Sequence, residues 1–350
     1  MKIPTEPIGS IPRPTELIDA IVSNADSSVL EKLFDNAVNS TITEFEKTGS
    51  PVISDGEQTK ASFVTYPLHG LENIAPGGMR IDFADGHFRQ LPLLTKGPFR
   101  FKNYASQYLK NAQNKTKTPV KQAVISASAL SLIYPPNGIV EYPQADFIND
   151  LINECEKDIR TCLEQGAAKV QMDFTEGRLS LKLDPSGGVL KQFIDLNNMV
   201  FNRFNDEERK KIGVHVCPGG DHDSTHSADV DYTKFLPLLF DLNVGNFYLQ
   251  LASEPDRIKI LKTIKQYLRP NQIVFVGVTD VINPKIESPE EVRDRILEAA
   301  LYIPLNQLGT TDDCGFSPFC DDRSTTREVA FAKIKSRIDG TKLAEAKLFS

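Results

Sequence analysis

The sequence of 350 residues lacks any apolar run that approaches the roughly 20 residues of a membrane-spanning helix. Its first residues, Met1 to Glu6, also lack the apolar segment of a secretory signal. Positive charge is not in excess, since 47 acidic residues against 40 basic ones give a formal net charge of −7. These absences argue against a membrane or a nucleic acid as the main partner, and we expect a cytoplasmic protein.

Cysteine is also scarce. The five cysteines are an odd number without regular spacing, so they do not predict a disulfide framework. Cys155 and Cys162 lie in one amphipathic helical stretch, and we expect them in the core. Cys217 and Cys314 instead follow apolar strands directly and precede turns that contain glycine. We therefore treat Cys217 and Cys314 as candidates for a functional site.

Apolar strands and helical segments alternate along the chain. Eight short strands are predicted near residues 7, 53, 124, 171, 214, 248, 275 and 309. Eight strand–helix units predict an α/β fold, the (β/α)8 or TIM barrel, in a single domain over residues 1–350. A doubly wound open sheet is the competing fold, but no Gly-x-Gly-x-x-Gly follows the first strand, which excludes its best-known dinucleotide-binding version.

Residues 59–118 interrupt the alternation. Gly77-Gly78 and Asp85-Gly86 separate short alternating segments, which predicts a β-hairpin insertion after the second strand. This stretch shows no strong helix, and we expect it to cover one mouth of the barrel. Further along, the segment between Phe174 and Val189 is predicted as a loop, and the last helix is predicted over Thr325–Ile338.

Polar side chains stand where the predicted strands end, which is where barrels of this kind assemble their chemistry. They are Ser10, Glu57, Ser126 or Ser128, Asp173, His215, Cys217, Gln250, Asp280 and Cys314. Alternation along a strand puts His215 and Cys217 on one face. That pair alone is also compatible with a buried polar pair in an ordinary strand. Together with Cys314 it makes a set of one nitrogen and two sulfur ligands that suits Zn²⁺.

The ligand set indicates a type of reaction. Three protein ligands leave a coordination position for a substrate. Two thiolates donate electron density to the ion, which weakens it as a Lewis acid toward water and keeps a bound substrate thiolate nucleophilic. The set therefore favours thiol activation for alkyl transfer over hydrolysis.

Six segments of the chain resemble the catalytic barrel of cobalamin-independent methionine synthase and its short single-barrel relatives, which include epoxyalkane:coenzyme M transferases. The segments are Ile8–Pro14, Asp55–Gln58, Gln171–Asp173, His215–Cys217, Gly277–Asp280 and Asp313–Phe316. The resemblance implies zinc-dependent transfer of a methyl group to the thiolate of homocysteine, giving methionine. It implies that zinc is bound by His215, Cys217 and Cys314, and that homocysteine is bound by Ile8, Ser10, Glu57 and Asp173.

Three departures from this family are visible in the sequence. Its fourth zinc ligand is a glutamate, but Gln250 stands at that position, and the carboxylates that are candidates to replace it are Glu254, Asp221 and Asp313. Its loop histidine after the seventh strand is replaced here by Ile282 or Asn283. We also expect no second barrel for polyglutamyl folate, so a methylfolate, a methylcorrinoid protein and a small methylated metabolite all remain as methyl donors.

Other readings remain open. The protein is alternatively an alkyltransferase for another thiol, such as coenzyme M, or a binding protein that has kept the barrel without catalysis. The loop residues His222, Asp223, His226 and Asp229 fit either a role beside the zinc or a solvated loop. Three arginines fit either an anionic substrate group or the surface, namely Arg13, Arg323 and Arg327.

Overall fold

The structure is a computed structural model that describes residues 2–350. Its strands are β1 (Ile74–Ala75), β2 (Arg80–Asp82), β3 (Phe88–Gln90), β4 (Leu93–Leu94), β5 (Gln122–Ile125), β6 (Val170–Asp173), β7 (Ile212–Val216), β8 (Gly220–Asp221), β9 (Ser224–Thr225), β10 (Asn246–Leu249), β11 (Ile273–Gly277) and β12 (Leu308–Thr311). Its helices are α1 (Thr15–Val22), α2 (Ser27–Thr48), α3 (Ala105–Gln113), α4 (Ala127–Ser131), α5 (Gln144–Glu164), α6 (Glu176–Leu183), α7 (Gly188–Phe201), α8 (Asp206–Arg209), α9 (Tyr232–Leu239), α10 (Arg257–Tyr267), α11 (Pro289–Ala300) and α12 (Arg327–Leu348), with a 3-10 turn over Tyr66–Leu68.

Six of the strands form one parallel sheet in the spatial order β12-β11-β10-β7-β6-β5. Almost every residue in them is buried, because helices cover one side and the barrel interior covers the other. This double burial explains why the strands are continuous apolar runs in the sequence. Each edge of the sheet gains one more strand position, since Thr5 bridges Thr310 in parallel and Ile53 bridges Val120 in parallel.

The two outermost strand positions, at Thr5 and Ile53, belong to segments that hydrogen bonds join, although residues 2–350 contain no strand ladder between them. The Ser54 hydroxyl donates to the Gly9 carbonyl over 2.6 Å, and the Ile11 N–H donates to the Gly56 carbonyl over 3.0 Å. Prolines interrupt both segments and cannot donate to a ladder. Eight strand positions in this order confirm the predicted (β/α)8 barrel, with its first two strands reduced to single bridges.

The hairpin insertion follows the second strand position, as predicted. β2 pairs antiparallel with β3, and β1 pairs antiparallel with β4. The expectation that this stretch contains no strong helix is wrong, because α3 lies within it. Its buried residues fall at the spacing of one helical face, namely Ala105, Leu109 and Ala112.

Two further predictions about helices are wrong. The segment between Phe174 and Val189 contains α6, whose N-cap residue Thr175 makes no side-chain capping hydrogen bond. The last helix, α12, continues to Leu348 instead of ending at Ile338. It packs closely on α11 at Gly340, where a Cβ would lie 2.5 Å from the Val292 side chain.

Buried charge ties the last helix to the first strand position. Arg337 of α12 pairs with Asp312 over 3.0 Å and donates to the Thr5 hydroxyl over 2.8 Å. Asp312 follows β12 directly, so the contact fixes the point where the barrel begins and ends. Among the helices of residues 2–350, none is both long and apolar enough to span a membrane.

Candidate metal centre and substrate cavity

His215, Cys217 and Cys314 come together at the carboxyl end of the barrel. His215 lies in β7, Cys217 directly follows that strand, and Cys314 follows β12. One ligand atom from each residue lies within 4.8 Å of the other two. The two sulfurs are 3.0 Å apart, which is far beyond the roughly 2.05 Å of a disulfide, so both cysteines are free.

The imidazole of His215 is oriented by the neighbouring strand. Tyr248 of β10 is its register partner, and the Tyr248 carbonyl lies 3.3 Å from His215 Nδ1. The other ring nitrogen, Nε2, is buried and has no hydrogen-bond partner within residues 2–350. An imidazole held at Nδ1 presents Nε2 as a ligand atom. The buried nitrogen without a partner therefore fits a metal ion.

The two thiols differ in acidity. The hydrogen bond from Cys314 lowers the pKa of Cys217 well below its usual value; burial opposes this shift, and His215 contributes further to it. The same hydrogen bond and burial raise the pKa of Cys314 well above its usual value. A metal ion held by both sulfurs would require both thiols to be deprotonated, because the thiolate is the form of cysteine that binds metals.

No carboxylate joins the triad at ligand distance in the described part of the chain. The Gln250 amide donates to the Ser253 hydroxyl over 2.8 Å and to Glu254 over 3.1 Å. Glu254 is also paired with Arg178, over 2.6 Å. Asp313 accepts three backbone N–H groups of the loop after β10. These contacts direct both carboxylates away from the ligand set.

The third candidate, Asp221, is also engaged elsewhere. Its carboxylate accepts from Arg89 over 2.5 Å and lies 3.1 Å from His87 Nε2. Gln250, Asp280 and Ile282 line a separate cavity of about 340 Å³ whose wall also includes Cys314. An ion held by the triad would therefore have its fourth position open to a water or a substrate.

A cavity of about 420 Å³ adjoins the triad. Its wall includes all seven residues assigned to the site from the sequence, namely Ile8, Ser10, Glu57, Asp173, His215, Cys217 and Cys314. The size lies within the range of small-molecule sites, roughly 300–1,000 Å³. The wall also has an aromatic part, with Phe63, Phe83 and Phe319.

The acidic residues of the cavity are held in defined positions. Glu57 is buried and pairs with Lys60 over 2.9 Å. Gly56 and Glu57 both have left-handed backbone conformations, at φ of 68° and 56°, which is unfavourable for a glutamate and is found mainly where surrounding structure enforces it. Asp173 is the register partner of His215, and burial raises its pKa to about 7, although His215 opposes the shift.

Arg13 does not bind a substrate anion and does not lie on the surface. Its guanidinium is buried and donates to four backbone carbonyls, those of Glu57, Lys60, Ser317 and Phe319, over 2.7 to 3.1 Å. It therefore fastens the loops that carry Ser10, Glu57 and the segment after Cys314. Arg327 likewise donates to the Pro12 carbonyl over 2.8 Å, whereas Arg323 pairs with Asp19 at the surface.

The hairpin insertion covers the mouth of the cavity, as expected. Its turn binds the β8–β9 hairpin, since the Ala84 N–H donates to the Thr225 carbonyl over 3.0 Å. Arg89 pairs with both Asp221 and Asp321, over 2.5 and 2.9 Å. No motif in the sequence marked Phe83 or Arg89 as cavity residues, because these contacts connect segments that are far apart in the chain.

The polar loop after β7 was expected either beside the metal site or as a solvated loop, and its residues differ in this respect. His226 lines the cavity and is only 5% exposed, and burial lowers its pKa to about 4, so it is not part of a solvated loop. His222 and Asp223 have φ of 47° and 56° and form the tight turn between β8 and β9. Ser126 and Ser128 lie outside the cavity wall and donate to the buried Glu176, each over 2.5 Å.

Comparison with known proteins gives consistent matches over nearly the whole chain. Residues 3–339 match the family described as the catalytic domain of the cobalamin-independent synthase. A methionine synthase from Saccharolobus solfataricus is 24% identical, with 99% of this chain and 96% of that protein aligned. One from Pyrococcus furiosus is 23% identical, with 97% and 92% aligned.

A solved structure shares the fold. The B12-independent methionine synthase from Shewanella sp. W3-18-1, in complex with selenomethionine, superposes with a TM-score of 0.77. The alignment covers 100% of this chain and 99% of that one at 18% identity. At this identity the likeness supports the barrel architecture.

Proposed function

Because the chain belongs to the family of the cobalamin-independent methionine synthase catalytic domain, a methyltransferase family, we propose that it is a zinc-dependent S-methyltransferase that methylates homocysteine to methionine. The observation that carries the proposal is the single cavity that unites the His215-Cys217-Cys314 triad with the acids Glu57 and Asp173. A thiol amino acid needs both a place for its sulfur and a place for its ammonium group, and this cavity offers both.

The triad supports zinc as the metal. It provides one imidazole nitrogen and two sulfurs, a set that zinc prefers to magnesium or calcium. The unpartnered Nε2 of His215 is the atom that the ion would satisfy. Zinc, when bound, holds the sulfur of a thiol substrate as a thiolate that is nucleophilic at neutral pH. A fourth position without a protein carboxylate leaves that place to the substrate sulfur.

The other cavity residues bind and orient the amino acid. Asp173 and Glu57 accept hydrogen bonds from the α-ammonium group, and the backbone at Ser10 holds the α-carboxylate. Ile8 packs on Tyr248 and forms an apolar floor. Hydrogen bonds to charged groups of this kind contribute about 1.5–3 kcal/mol each. Coenzyme M has a sulfonate and no ammonium group, so the acidic wall favours homocysteine over that thiol.

The aromatic wall, with Phe63, Phe83 and Phe319, is where the methyl donor approaches. Methylfolate and a methylcorrinoid protein are the donors we propose to test first, with small methylated metabolites as further members of the panel. A flat aromatic group fits between such rings, whereas a corrinoid protein requires the hairpin to move away from the mouth.

The test is zinc content of freshly purified protein, followed by methionine formation from homocysteine with each donor. Near-stoichiometric zinc and turnover with at least one donor support the proposal. Offering coenzyme M beside homocysteine separates the two thiols. Protein without zinc contradicts the proposal, whereas zinc and homocysteine binding without turnover for any donor favours a non-catalytic binding protein.

A further inference from the structure

Lys121 is a buried lysine that contacts Gln171, one of the residues lining the cavity. It precedes β5 and is 1% exposed. Burial lowers its pKa to about 7, although the nearby Glu6 opposes the shift. A buried ammonium group is costly unless it is hydrogen-bonded, so the contacts that it makes indicate why the chain keeps it.

The shortest contact of the ammonium group is to Gln171. Lys121 Nζ donates to Gln171 Oε1 over 2.8 Å. Its Nζ also lies 3.9 Å from the centre of the Tyr248 ring and 3.8 Å from Glu6, which is too long for a hydrogen bond. Glu6 is itself bound by the Tyr248 hydroxyl over 2.6 Å. The lysine is thus directed at the glutamine amide and not mainly at the carboxylate.

This contact fixes which way the Gln171 amide points. In its charged form Lys121 has three donors and no acceptor, so it faces the carbonyl end of the amide, and the Asp173 carboxylate has only acceptors, so it faces the NH₂ end. The NH₂ end then faces Asp173, and Gln171 Nε2 donates to Asp173 Oδ1 over 2.8 Å. The orientation follows from the chemistry of the lysine, whichever way the amide is first assigned.

We propose that Lys121 is a positioning residue for the amino-acid site, acting through Gln171 to hold Asp173 toward the α-ammonium group of the substrate. Gln171 engages one oxygen of Asp173 and leaves the other for the ligand. Without the lysine the carbonyl end of the Gln171 amide loses its buried partner, so the side chain that donates to Asp173 is no longer held at both ends. This inference rests on the proposed function, because it assumes a thiol amino acid as the ligand.

The test compares two thiols that differ only in the amino group, homocysteine and 4-mercaptobutyrate. Their Kd values are measured by calorimetry on zinc-analysed wild type and on Lys121→Met, so no methyl donor is needed. We expect Lys121→Met to raise the Kd of homocysteine by about tenfold, which is the effect of one hydrogen bond to a charged group. The Kd of 4-mercaptobutyrate should not change.

Lys169→Met is the matched control. Lys169 is a half-buried lysine of the same barrel that donates to Asn246 and makes no hydrogen bond to Gln171 among residues 2–350. It should leave the preference for homocysteine intact. Gln171→Glu provides a second route if Lys121→Met does not fold, since it keeps the partner of Lys121 but removes the donor to Asp173. The same selective loss is expected.

The outcomes separate the two claims. Equal weakening of both thiols in Lys121→Met, or an unchanged preference in Lys121→Met or Gln171→Glu, overturns the positioning role while the proposed function stands. A wild type that carries zinc but does not bind homocysteine overturns the proposed function and this inference with it. Selective loss of homocysteine in both variants supports the inference.

Discussion

The two walls of the cavity are built in different ways. The barrel wall carries His215 and Asp173, whose positions are set by the parallel ladder in which they are partners. The hairpin wall carries Phe83 and Arg89, on strands of three residues or the turn between them, and it is held to the barrel by ion pairs and a few backbone contacts. We therefore propose that the candidate ligand and acid residues lie on the more rigidly held wall, and that the hairpin wall opens more easily.

Arg13 marks the boundary between the two kinds of wall. Its four bonds to backbone carbonyls fix loops that belong to the barrel but have no ladder of their own. The hairpin has no equivalent buried cation within the described chain, since the side chain of Arg89 is still 26% exposed. The comparison predicts that variants of the barrel wall abolish binding, whereas variants of the hairpin wall change how often the cavity opens.

The largest effect is expected from removing a sulfur ligand. Cys217→Ser and Cys314→Ser each replace a thiolate with a hydroxyl, and we expect zinc affinity to fall by more than about 100-fold and activity to be lost. Cys155→Ser is the control, because Cys155 is buried in α5 with no part in the triad. Metal analysis after dialysis measures the effect. Retention of stoichiometric zinc by both ligand variants would falsify the assignment of the triad.

The next effect concerns the acid on the same wall. Asp173→Asn keeps the acceptor for Gln171 but turns an NH₂ group toward the substrate ammonium. We expect the Kd of homocysteine to rise by about 10- to 100-fold, the loss of one charge-assisted hydrogen bond, with zinc content unchanged.

The ligand pair provides the control for Asp173→Asn. 4-Mercaptobutyrate lacks the amino group and should bind the variant as it binds the wild type. Equal Kd values of homocysteine for wild type and Asp173→Asn would show that the ammonium group is bound elsewhere.

How much of this was predictable from the sequence depends on the range of the interactions. The strands of the sheet can be predicted from the sequence because double burial makes them continuous apolar runs, as with Ile212–Val216. The start of α11 can be predicted because Ser288 is a typical N-cap residue, and in the structure it accepts a hydrogen bond from the Glu291 N–H over 3.1 Å. The convergence of residues from Ile8 to Cys314 follows from the fold, since barrel strand ends meet at one mouth.

The remainder depends on contacts that local patterns do not encode. Arg13 binds carbonyls 44 to 306 positions away, so nothing beside it in the sequence indicates its burial. The sequence places Gln250 at the position of a missing carboxylate, but it cannot show that Glu254, Asp221 and Asp313 are already engaged. α6 was missed because it follows β6 closely, so that no long stretch of loop separates the strand from the helix.

A pH-dependent effect is expected where the insertion is anchored to the barrel. Asp158 of α5 accepts from the Tyr66 hydroxyl and from the Ala105 N–H, both in the insertion. Burial raises the pKa of Asp158 from its usual 3.8 to about 6, although these hydrogen bonds oppose the shift. The folded state therefore holds this proton more tightly than the unfolded state. The associated stability is present below about pH 4 and is lost as the pH rises through about 6.

Asp158→Asn removes this pH-dependent component because the amide does not ionise. We expect the free energy of unfolding of the wild type, relative to the variant, to fall by on the order of 2–3 kcal/mol between about pH 4 and about pH 6.5. Urea titrations across this range measure the difference. Other buried acids, such as Glu176, act in both proteins and cancel. Parallel pH profiles for the two proteins would rule out Asp158 as the source.

The smallest effect should come from the hairpin wall, and it tests the comparison most directly. Arg89→Met removes the ion pairs to Asp221 and Asp321. Allowing for the exposure of this side chain, we expect the free energy that holds the hairpin closed to fall by about 1 kcal/mol. Amide hydrogen exchange in residues 79–91 should then be roughly fivefold faster. Zinc content should not change, because the triad lies on the other wall.

Arg80→Met is the matched control, since Arg80 lies on the same hairpin and contacts residues of that hairpin, pairing with the exposed Asp82 and stacking on the Phe88 ring, with no ion pair to the barrel among residues 2–350. It should leave exchange in residues 79–91 as it is in the wild type. If Arg89→Met exchanges no faster than Arg80→Met, the ion pairs do not hold the hairpin closed. If Arg89→Met also loses zinc, the two walls are coupled, and the division between a rigid chemical wall and a mobile covering wall does not apply to this protein.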